Sequence, residues 1–274
     1  MPILRWFKAY FLKQIKNLMR TPYFEIMLLI FTFQASGRPN IHYTISFTSN
    51  LTDSFSLKDS VMVLAVQTYF SSISGKIASL YPLIVFFSSI LSYLEISYYR
   101  DIGFLKTEFS FPVKRGSMYL AKLLASCLTL SILIFSSILF SITINCFKIF
   151  QIMDSLSVLQ GFLVIFIETL LIALFTSSIS TLISFMVKWS GIPLVISIST
   201  LYSFEFISLS LRSIIPLFPE GLRIFEEKVM LPTIKGMRFS FSLNSFEPLF
   251  PSLLISLIVF FLGYYYVTRR MQIS

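Results

Sequence analysis

The stretch YYRDIGFLKTEFSFPVKRGSMYLAKLL, residues 98–124, sets a basic, mostly polar loop between two long apolar segments. The segment before it, Ile77 to Ser97, and the one after it, Met118 to Asn145, are each 20 residues or more. About 20 apolar residues at 1.5 Å rise cross a hydrocarbon core of about 30 Å. The reading that follows is a pair of membrane-spanning helices joined by a loop that emerges on one side.

Composition extends that reading to the whole chain. Of 274 residues, 55% are hydrophobic and 13% charged, with mean hydropathy +0.81. Soluble domains carry about 25% charged residues, so this chain belongs in a bilayer. Its formal charge of +9 would suggest nucleic acid in a soluble protein. Here the basic residues lie between apolar spans, so they report topology and not nucleic-acid binding. Cys127 and Cys146 are 19 residues apart on one expected helix, roughly 28 Å, and cannot bridge each other.

The expected class is an all-α polytopic membrane protein with six spans: 23–35, 77–97, 118–145, 156–187, 192–211 and 250–267. The first is the shortest, about 20 Å of helix, and needs a flanking turn or local thinning to cross. Residues 1–21 precede them as an amphipathic helix. Leu4, Phe7, Phe11, Ile15 and Leu18 share one face, and Arg5, Lys8, Lys13, Lys16 and Arg20 the other. Such a helix lies in the interface, and its basic residues interrupt any apolar core a cleavable signal would need. Residues 37–60 are polar, with Ile41, Tyr43, Ile45 and Phe47 alternating as in an extended segment. Asn50-Leu51-Thr52 is a glycosylation triplet, and Val61 to Phe70 is a short apolar lead-in. Tyr264 to Tyr266 and Arg269-Arg270 close the last span as an aromatic belt and a positive anchor. With both termini cytoplasmic, inner segments hold twelve Lys/Arg and two acids; outer segments hold nine and seven. That asymmetry places the N- and C-termini inside.

Within the loop, Gly103 follows Asp101 by two residues and Pro112 follows Gly103 by nine. Arg115 then follows Pro112 by three and Lys122 by ten. This order resembles the first cytoplasmic loop of ABC-2-type transporter permeases, with one departure, Phe104, where the family usually carries Thr or Ser. The resemblance implies that residues 98–117 form a coupling loop docking on a separate ATPase. Its coupling residues would be Arg100, Asp101, Gly103, Leu105, Phe109, Pro112, Arg115 and Lys122. It further implies a plasma-membrane permease subunit, acting in export, that works with ATPase subunits and a second copy or a related permease. The proline-punctuated outer segment 212–248 would be a re-entrant pair of short helices; a plain extracellular loop fits nearly as well.

No cofactor of the chain's own is expected. Gly75-Lys76 lacks the upstream glycine of a phosphate-binding loop, so ATP would be bound by the partner. His42 is the single histidine, which excludes multi-histidine metal sites, and the four Asp are scattered. The abundant serines lack a basic partner and read as helix-packing residues, so the chain is not read as an enzyme. Of the acids in or near spans, Glu25 and Glu95 lie near the inner face, within reach of Arg20 or Arg100. Glu168 and Glu205 are the candidate substrate path, because intramembrane charge is costly. The alternative class is an ion channel or secondary transporter using Glu168, Glu205 and Lys122 as a relay.

Overall fold

The computed structural model describes residues 2–20, 22–36, 76–109, 114–146, 155–189, 191–210, 216–233, 236–239 and 241–270. The extended segment around 41–47, the triplet at Asn50, the lead-in at 61–70 and Pro112 lie outside them.

The chain folds into helices α1 (Pro2–Arg20), α2 (Pro22–Ser36), α3 (Lys76–Asp101), α4 (Phe104–Phe109), α5 (Arg115–Cys146) and α6 (Ser155–Met186). These are followed by α7 (Ile192–Ser210), α8 (Glu220–Val229), a hairpin of β1 (Met230–Thr233) and β2 (Gly236–Phe239), and α9 (Phe250–Tyr265). Among the described residues, five helical segments are long and apolar enough to cross a membrane: Lys76–Asp101, Arg115–Ile144, Val158–Met186, Ile192–Ser210 and Leu243–Arg269. The expected first span, α2, is a helix of 15 residues, about 22 Å long, and is not among the five.

α5 and α6 form the centre of the bundle. α1 and α2 pack on α5, α7 and α9 pack on α6, and α3 lies against both. α2 turns Met27, Phe31 and Ala35 inward, one per turn. Its end is closed from elsewhere in the chain. The Ala35 carbonyl accepts Lys76 Nζ at 2.9 Å and Ser141 Oγ at 2.6 Å, satisfying a last-turn carbonyl with a cation. Lys76 thus sits buried at a helix end, although its sequence position reads as an outer-loop charge.

Hydroxyls join α3 to α6, as their abundance led us to expect. Ser88 meets Ser180 and Ser92 meets Thr181, each at 3.4 Å, and Ser97 Oγ donates to the Ser184 carbonyl. Small side chains let the helices approach closely, and the hydroxyls of Ser88, Ser92 and Ser97 each find a partner across the contact. α3 is tied to α7 by Tyr81, whose phenol donates to the Leu201 carbonyl at 3.1 Å.

The outer segment departs from the expected pair of half-helices. α8 is one amphipathic helix, and Met230 pairs antiparallel with Phe239 at the open end of the hairpin. The apolar run 229–231 straddles the end of α8 and the start of β1, so it is no helix of its own. Pro232 supplies no amide hydrogen to the ladder, which a two-stranded edge tolerates.

α5 and α9 meet through two reciprocal notches. A Cβ at Gly263 would collide with the Tyr119 phenol, and a Cβ at Gly116 would collide with the Tyr264 ring. Gly263→Leu should therefore destabilise the bundle by about 1–3 kcal/mol through overpacking. Denaturation of the purified protein in mild detergent would measure it, and an unchanged midpoint would show that the notch is dispensable.

Candidate coupling site

The loop between α3 and α5 is built from a bend, a short helix and a buried ionic anchor. The Gly103 amide donates to the Arg100 carbonyl at 3.0 Å, and the Ile102 amide to the Tyr98 carbonyl at 3.1 Å. Gly103 adopts φ +77°, a left-handed conformation that other residues take at a cost of about 1–2 kcal/mol. Among the described residues, no atom beyond its two chain neighbours lies within 4 Å of the place a Cβ would occupy. Glycine is needed here for its backbone and not for space. α4 starts at once, with the Lys106 amide donating to the Gly103 carbonyl.

One side of α4 faces the bundle. Leu105 packs with Ile96, Tyr119, Leu123, Phe185 and Val267. One turn later Glu108 is buried in a polar cluster within the apolar interior. Its Oε2 lies 2.9 Å from Lys122 Nζ, and both side chains are about 1% exposed. Its Oε1 accepts Gln14 Nε2 from α1 at 3.1 Å. Lys122 Nζ also donates to the Glu95 main-chain carbonyl at 2.9 Å and lies 5.4 Å from the centre of the Tyr99 ring. Glu95 Oε2 in turn accepts Ser126 Oγ at 2.7 Å. Glu95 belongs to a π-helical stretch of α3, Tyr93–Tyr98, a widened turn of the kind that interrupts helices at functional places. α1, α3, α4 and α5 therefore converge on one buried ion pair, α1 through Gln14 on Glu108 and α3 through the Glu95 carbonyl on Lys122. Tyr10 of α1 adjoins the cluster; burial first, then the Glu108 carboxylate, push its phenol above its ordinary range and keep it neutral.

The expected coupling residues divide between two environments. Lys122 and Leu105 are internal, and so is most of Arg100, whose Nη1 donates to the Ser184 carbonyl in the last turn of α6 at 3.1 Å. Arg100 reaches Asp101 only at 3.9 Å. Asp101, Ile102, Phe104, Lys106, Thr107, Lys114 and Arg115 face outward, with Ile102 57% and Phe104 38% exposed. The Phe109 side chain lies outside the described residues, as does Pro112.

Glu108 and Gln14 were not singled out in the sequence. The available signal was Lys122 itself, a lone cation in an apolar span, which needs an acid within reach. Three acids precede it closely, and Asp101, Glu95 and Glu108 cannot be ranked until the bend at Gly103 is known.

The candidate path residues sit in separate surroundings. Glu168 is fully buried on α6 and faces Glu226 of α8, so that two carboxyls meet inside the bundle. Glu205 is half-buried on α7 beside Tyr81 and Tyr202. Glu25 is exposed on α2. Among the described residues no group of three or more His, Cys, Asp or Glu could hold a metal ion. Neither the protein-family models nor the curated proteins compared with this chain provide a match.

Proposed function

We propose that this chain is the membrane-spanning permease subunit of an ABC-2-type transporter, acting in export and driven by ATP hydrolysed in a separate subunit. The observation that carries the reading is the Glu108–Lys122 pair, which fastens the short loop helix to α5. A push on the outward face of α4 would be delivered through that pair to α5, and through the Glu95 carbonyl to α3. The outer face offers an ATPase an apolar patch, Ile102 and Phe104, flanked by Asp101, Lys106, Lys114 and Arg115. In this reading α1 lies on the cytoplasmic leaflet as an elbow, α2 is the first of six spans, and both termini are cytoplasmic. Two permease copies, or one with a related partner, would enclose the path.

After Cys127 and Cys146 are changed to Ser, single cysteines at Ile102 and Lys106 should cross-link to a co-purifying ATPase. A cysteine at Leu105, which is 2% exposed, should not. Absence of any ATPase from the purified complex, with no cross-link at either exposed position, would sink the proposal.

A second reading, a channel or secondary transporter, draws on Glu168. A fully buried carboxyl facing another carboxyl is a costly arrangement in a helix of this apolarity, which makes it a functional candidate. If Glu168 lines a path, Glu168→Gln should change the pH dependence of transport in vesicles and leave assembly intact. Unchanged transport at every pH would leave Glu168 a structural residue.

A further inference from the structure

Beside the buried cluster, α1 and the π-helical turn of α3 leave a pocket of about 110 Å³. Leu18, Leu91 and Leu94 form its apolar wall, Gln14 and Asn17 approach from α1, and Glu95 lies at its inner end. Tyr23 and Tyr98 stand at its rim, each about half exposed. The volume exceeds what a single water needs.

Two buried carboxylates, Glu95 and Glu108, lie near Lys122, whose ammonium pairs with Glu108 Oε2 and reaches Glu95 only at its main-chain carbonyl. Both Glu108 oxygens are engaged, by Lys122 and Gln14. Glu95 Oε2 is engaged by Ser126, but Oε1 is buried without a hydrogen-bond partner among the described residues. Burying such an oxygen is costly unless a donor reaches it. The pocket gives that donor a route, and an apolar wall with tyrosines at the rim suits an amphiphile whose polar end is cationic. On the same helix, Lys16 and Arg20 are exposed and supply positive charge for a phosphodiester.

We propose that this pocket binds the primary ammonium headgroup of an aminophospholipid, with Glu95 Oε1 accepting its N–H and the chains lying along α1 and α3. A primary ammonium is required because a quaternary one has no hydrogen to donate. The site does not depend on the permease reading.

The full-length chain, stripped of lipid in mild detergent, can be titrated with dihexanoyl-phosphatidylethanolamine while thermal unfolding is followed by fluorescence. Phosphatidylethanolamine at hundredfold excess over its Kd should raise Tm by about 4–8 °C. The phosphatidylcholine and phosphatidylglycerol analogues with the same chains, and free ethanolamine, should leave Tm unchanged. Glu95→Gln should remove the response. Asn17→Trp, which fills the pocket from its rim without touching the Glu95–Ser126 bond, should remove it as well and covers the case in which Glu95→Gln does not fold. An equal shift from the choline or glycerol lipid would overturn the ammonium assignment, and an equal shift from ethanolamine alone would overturn the lipid. A full response retained in Asn17→Trp, or in a folded Glu95→Gln, would overturn the site.

Discussion

Replacing Lys122 with Met should lower the stability of the extracted protein by about 3–5 kcal/mol, the usual cost of removing one partner from a buried ion pair. The side chain is fully enclosed, so neither water nor salt can take over its charge. Its loss leaves Glu108 and Glu95 facing each other in an apolar interior, with the Glu95 carbonyl short of a donor. α4 would then be expelled from the bundle, or one carboxyl would take up a proton. The double substitution Glu108→Gln with Lys122→Met should recover more than half of the loss, because it removes the uncompensated charge together with its partner. Denaturant titration in detergent of the two single variants and the double variant closes the cycle. A Lys122→Met variant within about 1 kcal/mol of the parent would mean that the pair is not formed, since that is the range of an exposed bridge.

Gly103→Val should abolish the proposed coupling while the protein still reaches the membrane. A β-branched residue at φ +77° faces more than the penalty of about 1–2 kcal/mol that any side chain incurs there, so the bend should open. Opening moves α4 about its hinge and draws Glu108 away from Lys122, which separates the outward face of the loop from α5. Transport and stimulation of the partner ATPase should both fall by at least about tenfold, equivalent to roughly 1.4 kcal/mol of lost positioning. Gly103→Asn distinguishes backbone strain from crowding. Asparagine tolerates the left-handed region, and among the described residues no atom beyond the chain neighbours lies near the added Cβ, so this variant should keep most of its activity. If Val and Asn are equally damaging, space and not backbone conformation governs the position.

The sequence alone determined that the chain is helical, with segments long and apolar enough to cross a membrane, because apolar length against bilayer thickness needs no tertiary information. Continuous helices at α5, α6 and α7 fall close to the expected spans, and the hydroxyl contacts between α3 and α6 follow from serines that had no other chemistry to perform. The amphipathic pattern of residues 3–20 likewise foretold a helix. Its partners were not foretold: Tyr10, Gln14 and Leu18 turn inward against the bundle, while Phe7, Phe11 and Ile15 are only half-buried. The hairpin at 230–239 replaced an expected half-helix, because four-residue runs carry too little periodicity to separate the two.

The ionic centre was decided by tertiary structure. Lys122 was visible as a residue of the loop region, but nothing in its spacing distinguishes a docking lysine from a buried one. Its partner depends on the left-handed bend at Gly103, on the widened turn at 93–98, and on the angle at which α1 crosses α5. Ion pairing and hydrogen bonding fall off within a few ångströms. A sequence can therefore state that a buried charge must be satisfied, and only the packing of four helices states by which residue.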